Sequence, residues 1–356
     1  MLLPLLMALA WIRRGLGHAV GGAFGRRQTA YVADRVDEYR GLWMAAALAI
    51  GASFSPLASD AWEVATAQHR TRISNDLVEF DDPVVLAIAG DKELCYAIAG
   101  RLGIPTPGPR TSARSDVGRA MWRMPLGDTP LVVKPARGTG SGVGVTVGVR
   151  TRSSLVSALA LAATHSSRVI VESLVAAETV RLLFLDGEMI HAVRRRGQRV
   201  VGDGAATLRE LLARQAGGGV EPDWLVRETL RQQGRVLDEV VPGGVEVLVR
   251  WLAAGIRSSP ELKTVYDEDV TELVSAGLIA ELAPLLGEVG TRFAAVDVAT
   301  IDLSRPLRES GGVFLEINTT PGIRHHCGSL QLGGPCPVAV TVLRRLLEID
   351  EPSRVA

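Results

Sequence analysis

The stretch LVVKPARGTGSGVGVTVGV, residues 131–149, constrains what this chain can fold into more than any other. A β-branched run at 131–136 leads through Gly138, Gly140, Gly142 and Gly144 into a second apolar run ending at Val149. Strand, glycine loop and strand together predict a hairpin. The loop lacks the Gly-Lys-Ser/Thr end of a Walker A sequence and opens no helix, so it is neither a P-loop nor a dinucleotide-binding turn. Glycine lets backbone N–H groups approach an anion closely, and Lys134 adds a point charge beside them. A lid over nucleotide phosphates is one reading. A glycine hairpin next to an ordinary surface lysine is the other.

Residues 313–322, VFLEINTTPG, carry the second signal. Side chains alternate along a strand, so Glu316 and Asn318 share a face opposite Val313, Leu315 and Ile317. Upstream, VDVATIDL holds Asp297 on a run that predicts a neighbouring strand. Two carboxylates and an amide oxygen suit Mg²⁺, which takes oxygen ligands and completes its shell with water and phosphates. No His or Cys is placed there to favour zinc. Solvated acids on edge strands would look the same. Asp91-Lys92 opens a helix with Leu94, Ile98 and Leu102 at helical spacing, and a plain Asp91 N-cap explains that pair by itself.

With 356 residues the chain is long enough for two or three packed lobes. Lys+Arg and Asp+Glu are both 39, so no net field recruits nucleic acid. Cys95, Cys327 and Cys336 match neither a disulfide framework nor a zinc spacing, which favours a reducing, cytoplasmic setting. Residues 1–12 are uncharged but lack a basic n-region ahead of them, and 41–59 are diluted by Gly, Ser and Pro. No integral membrane segment is expected, and a peripheral N-terminal contact is kept open.

The pattern predicts a helix over Ala33–Ile50, then a hairpin of Trp62–Ala67 and Thr71–Ile73. A helix follows from Asp91 to Gly103, before Pro105, Pro107 and Pro109 break the chain. After the glycine hairpin come a helix at 152–163, a strand at 168–173, and a hairpin over 181–196 turning at Asp186-Gly187. Helices are predicted at 207–215, 225–233, 270–291 and 338–347, with a strand at 245–251; 255–270 shows no clear period.

Each element alone has an ordinary explanation; their order is harder to dismiss. Asp-Lys helix, strand lysine, glycine hairpin, VIVES strand, Asp strand and Glu-x-Asn strand together closely resemble the ATP-grasp superfamily, over roughly residues 85–330. Within it, RRRGQRVVGDGAATLRELL at 194–212 resembles cyanophycin synthetase-type ligases, and LEINTTPGIR supports that likeness. The resemblance implies an α/β (α+β) fold. An N-terminal lobe (1–84) would precede two α+β subdomains (85–176 and 177–356) that clamp ATP between them.

It also implies roles. Lys92 and Lys134 would hold ATP phosphates under a lid that includes Gly138, Gly140, Ser141 and Gly142. The backbone of Glu172, Ser173, Leu174 and Val175 would meet the adenine, and Glu178 or Thr179 the ribose. Asp297, Glu316 and Asn318 would hold Mg²⁺, with Mn²⁺ as an alternative. Arg195 and Arg250 would serve the transferred phosphoryl group or the carboxylate, with Arg250 the candidate oxyanion stabiliser. Arg324, Arg194 and His325 would meet substrate. The implied activity is ATP-dependent carboxylate–amine ligation through an acyl phosphate, with small-molecule amino-acid or peptide partners. A kinase that stops at phosphorylation, or a nucleotide-binding protein with a dead site, are the alternatives; a homodimer stays open. After Arg250 the chain departs from the cyanophycin-type pattern, reading WLAAGIRSSPELKTVYDED, and no counterpart of that family's large Mur-ligase-like domain is expected. Polymerisation of aspartate and arginine is therefore not expected.

Overall fold

The computed structural model describes residues 21–113, 116, 126–139, 142–215, 222–251, 267–329 and 334–349. In chain order they begin with α1 (Gly21–Ala49), β1 (Ser53–Ala58), β2 (Ala61–Ala65), β3 (Arg70–Ser74) and β4 (Leu77–Val78). Next come α2 (Pro83–Ala89), α3 (Lys92–Arg101), β5 (Arg110–Ala113), β6 (Leu131–Pro135), β7 (Thr146–Val149) and α4 (Arg152–His165). Then β8 (Arg168–Ser173), β9 (Glu178–Leu185), β10 (Glu188–Arg195), β11 (Gln198–Val201), α5 (Leu208–Gln215) and α6 (Trp224–Gln232) follow. The chain continues through β12 (Glu246–Arg250), β13 (Glu268–Asp269), α7 (Ala276–Val289), β14 (Phe293–Thr300), α8 (Leu307–Ser310) and β15 (Val313–Thr319). It closes with α9 (Arg324–Ser329) and α10 (Pro337–Leu346).

These residues fall into two compact units. One comprises the described residues of Pro107–Ala176 and Arg195–Tyr266, and the other those of Gly15–Thr106, Ala177–Arg194 and Asp267–Ala356.

In the first unit, an antiparallel sheet of order β5-β8-β6-β7 carries α4 on one face. Leu155, Leu159 and Ala162 of α4 meet Val133, Val149, Val169 and Val171 there. A second small core joins the β11–β12 pair to α5 and α6 through Val200, Leu211, Val226, Leu230, Val247 and Val249. The VVGDG run sits at its junction. The Asp203 carboxylate accepts the Ala205 and Ala206 N–H groups and pairs with Arg214 at 2.8 Å. Those bonds, led by the Ala206 amide, hold its carboxyl down at about 2. Thr207 and Glu210 then form a reciprocal cap on α5.

In the second unit, five strands of order β13-β10-β9-β14-β15 form the main sheet. β14 lies between β9 and the edge strand β15, antiparallel to both and buried along its whole length. The predicted turn at Asp186-Gly187 is present, with φ of 49° and 82°, the left-handed pair a two-residue hairpin with I′ geometry needs. Helix α1 and α10 pack Tyr39, Trp43, Val342 and Leu343 against Trp62 of the β1–β4 sheet and Phe293 of β14.

The helix predicted from Ala33 starts earlier, at Gly21; the glycines at 22 and 25 interrupt the apolar period without breaking the backbone. The helix predicted over 270–291 is shorter, because Ser275 caps α7 and Gly290 ends it in the left-handed conformation. The 255–270 stretch lies mostly outside the described residues. One expectation is overturned. Cys327 of α9 and Cys336, the N-cap residue of α10, form a disulfide, with Cα atoms 5.5 Å apart, because the two helices pack against each other. The cysteines therefore give no support to a reducing compartment. No helix among the described residues is long and apolar enough to cross a membrane.

Candidate functional site

The second unit assembles the acidic cluster. Asp297 of β14 stands opposite Glu316 of β15 on one side and Arg181 of β9 on the other, making a row of charges across three strands. A bulge between Asp297 and Val298 sets this register. Arg181 grips Asp297 with two parallel bonds, Nε to Oδ1 and Nη2 to Oδ2, both 2.8 Å. Asn318 donates its amide to Asp297 Oδ2 at 3.1 Å. The Asp91 cap, bonded to the Glu93 and Leu94 amides, starts α3 so that Lys92 Nζ lies 3.3 Å from Glu316 Oε2. The cap and the phosphate-lysine readings of Asp91-Lys92 are thus compatible.

The donor set fits a hard divalent cation. No cage of three His, Cys, Asp or Glu side chains exists among the described residues. What is present is two carboxylates and an amide. A carboxylate can only accept, so the Asn318 nitrogen faces Asp297 and its oxygen is left for a cation. Such an incomplete oxygen set is what Mg²⁺ uses when water and phosphates fill the rest.

In the first unit, Lys134 and Glu172 form a buried ion pair, Nζ to Oε1 2.8 Å, with side chains only 7% and 4% exposed. Val132 is the register partner of Glu172, so Lys134 reaches it diagonally on the same sheet face. Val133 and Val171 point the other way into the core. Gly138, Gly142 and Gly144 all have φ between 72° and 78°, backbone that side chains rarely adopt. Gly140 and Ser141 lie outside the described residues. At the end of β8, the N–H groups of Ser173 and Leu174 are committed to the carbonyls of Pro107 and Pro130. A cavity of about 230 Å³ opens beside them, lined by Arg110, Thr129, Leu131, Glu172 and Ser173.

Most of the remaining candidates are engaged within the protein. Arg250 Nη2 meets Asp223, the N-cap of α6, at 2.5 Å. Arg195 ends β10. Arg194 bridges Glu178 at 2.9 Å and Glu268 at 3.0 Å, and Thr179 stands opposite Ala299. Arg324 is buried, 2.7 Å from Glu38, with its guanidinium 5.8 Å from the Tyr39 ring centroid. His325 Nδ1 lies 3.0 Å from Asp267.

The partners Arg181, Glu38, Asp267 and Asp269 escaped sequence reasoning because each lies far along the chain from the residue it meets. The His325-His326 doublet was the one local hint. His326 Nδ1 lies 3.0 Å from His191 Nδ1, and His191 Nε2 lies 3.5 Å from Asp269. Burial pushes the His191 imidazole down, against the pull of Asp269. A group depressed in the fold contributes stability above its ordinary value and loses it on acidification. We expect the melting temperature to fall as pH drops below 6.5, and to fall less steeply in His191→Gln. Equal slopes in melting curves taken across pH would refute this role.

The D-ala D-ala ligase C-terminus family matches residues 122–204. Cyanophycin synthetase of Synechocystis sp. is 30% identical over 305 residues, covering 81% of this chain and 33% of that protein. The glutathione biosynthesis bifunctional protein of Streptococcus thermophilus is 24% identical over 270 residues, covering 71% of this chain and 35% of that protein. The chain thus spans about a third of the length of these relatives. Among solved structures, a bifunctional glutathione synthetase from Pasteurella multocida shares the fold, with TM-score 0.50 and 19% identity over 83% of this chain and 41% of that one. The chain thus has the fold of the ATP-grasp enzymes and is similar in sequence to about a third of cyanophycin synthetase.

Proposed function

We propose that the chain is an ATP-dependent carboxylate–amine ligase that joins amino-acid or small-peptide substrates through an acyl phosphate, releasing ADP and phosphate. The observation that supports it most is the charge row of Arg181, Asp297 and Glu316 with Lys92 at its end.

A carboxylate resists attack by an amine because it is anionic and has no leaving group. Phosphorylation supplies the leaving group, but bringing two anions together requires fixed positive charge. In this reading Lys92 and Lys134 hold the phosphates, and the glycine hairpin covers them and excludes water that would hydrolyse the acyl phosphate. Of the segment read as meeting adenine, the Ser173 and Leu174 amides are already bonded, so the Val175 amide is the candidate donor to the base. Asp297, Glu316 and Asn318 would hold a divalent cation, Mg²⁺ or Mn²⁺, which neutralises phosphate charge when bound. Arg195 and Arg250 are the candidates for the phosphoryl group and the tetrahedral oxyanion, and Arg194, Arg324 and His325 for substrate. Arg250 would have to exchange its bond to Asp223 for that task.

The test is an ADP-release screen over pairs of amino acids and short peptides, with mass spectrometry of the product. A ligase releases ADP in step with an added amine and yields an amide. Release that an amine does not accelerate would mark a kinase instead. Tight ATP binding without turnover across the panel would mark a nucleotide-binding protein.

A further inference from the structure

We infer that Arg181 is a positioning residue for the cation site, orienting two of its three candidate ligands through one guanidinium. The inference rests on reading Asp297, Glu316 and Asn318 as the cation-holding set.

A buried ion pair is a poor way to stabilise a sheet, since desolvating both charges offsets most of their attraction, and apolar residues of similar size often do as well. Arg181 and Asp297 nevertheless sit on the adjacent inner strands β9 and β14, 8% and 5% exposed, flanked along those strands by Val180, Leu182, Val296 and Val298. What the pair does supply is geometry. A carboxylate rotates easily about its last bond, and a two-pronged guanidinium fixes its plane.

An ionised carboxylate has about four acceptor positions, two on each oxygen. Arg181 occupies one on Oδ1 and one on Oδ2, and Asn318 a further one on Oδ2. The remaining position is on Oδ1. Because Oδ2 is held in place, the Asn318 amide that donates to it is held as well, with its oxygen turned away from Asp297. Arg181 therefore sets the plane of one ligand directly and the rotamer of a second through it.

Electrostatics alone would have the opposite sign, because a guanidinium repels a cation. That difference makes the proposal testable by binding, without reference to turnover. Mn²⁺ alone is titrated into the full chain, with free Mn²⁺ read by electron paramagnetic resonance, and each variant is checked for a cooperative melt. Arg181→Lys keeps the charge and loses the fork. We expect its Mn²⁺ dissociation constant to rise ~10-fold to ~100-fold, the usual cost of losing a group that orients a metal ligand. Arg181→Gln, neutral and still able to hydrogen-bond, should also bind more weakly, and whichever variant melts cooperatively carries the result. Wild-type affinity in folded Arg181→Lys, or tighter binding in Arg181→Gln, would overturn the inference while leaving the site reading intact. Wild-type protein that binds no Mn²⁺, or binds it equally well as Glu316→Gln, would overturn the site reading and the inference with it.

Discussion

Replacing Lys134 with alanine is expected to abolish ADP release and to lower the melting temperature at the same time. The two effects have separate causes. Lys134 supplies the point charge that the proposed phosphate site needs, and losing one such preorganised group costs ~10²-fold to ~10³-fold in turnover. Its ammonium also lies 2.8 Å from Glu172 in a site closed to solvent. Removing one member of a buried pair leaves the other charge less well matched, at up to about 3–5 kcal/mol. Adding Glu172→Gln to Lys134→Ala should therefore restore much of the melting temperature and none of the turnover. Glu316→Ala separates the effects differently. Its side chain is 27% exposed, so stability should change little while ADP release is lost. Turnover retained in a folded Lys134→Ala protein would sink the phosphate role.

Gly202→Ala should be the most damaging single methyl group in the first unit. A Cβ there would run into the carbonyl oxygens of Val241 and Pro242, and backbone cannot step aside as a side-chain tip can. Both faces of the segment are pinned. The Gly202 N–H bonds the Val245 carbonyl, its own carbonyl accepts from Gly244, and the Gly204 N–H bonds Val241, all at 2.9–3.1 Å. Overpacking of this kind costs ~1–3 kcal/mol and at times more. Hydrogen exchange should show early opening of residues 198–215 and 222–250 in the variant, since β11, β12, α5 and α6 share one small core. Gly287→Ala in α7 is the control: nothing lies within 4 Å of its added methyl, and helix propensity favours it by ~0.5–1 kcal/mol. If both variants melt alike, the close approach at Gly202 has no structural weight.

This bears on how the VVGDG run is understood. Its resemblance to cyanophycin-type ligases drew attention to it, and its chemistry in the structure is local. Gly202 permits a close backbone approach, Asp203 caps a turn, and Gly204 takes φ of 78°. A motif can mark kinship by being structurally indispensable.

Local signals were legible wherever the cause was local. The Asp91 cap, the Asp186-Gly187 turn, the glycines with positive φ and the shared face of Glu316 and Asn318 each depend on residues within a few positions of one another, whereas a bulge beside Leu315 moves Val313 to their face, against the simple alternation. Pairings between distant segments were not. Nothing near Asp297 in sequence announces that Arg181 will hold it, because that bond spans 116 positions and exists only when β9 and β14 lie in register. The same holds for Arg324 with Glu38, for His326 with His191, and for the disulfide between Cys327 and Cys336.

From sequence alone came the set of chemical groups and the order of strands and helices that carry them. Side-chain type fixes what a group can donate, accept or charge, and short-range backbone preference sets the element it rides on. Only the tertiary structure decided which of those charges are matched. Sheet register placed Arg181, Asp297 and Glu316 in one row and Lys134 diagonally against Glu172. An acid read as a bare metal ligand is thereby a held one, because a buried charge must find its partner wherever the fold brings one.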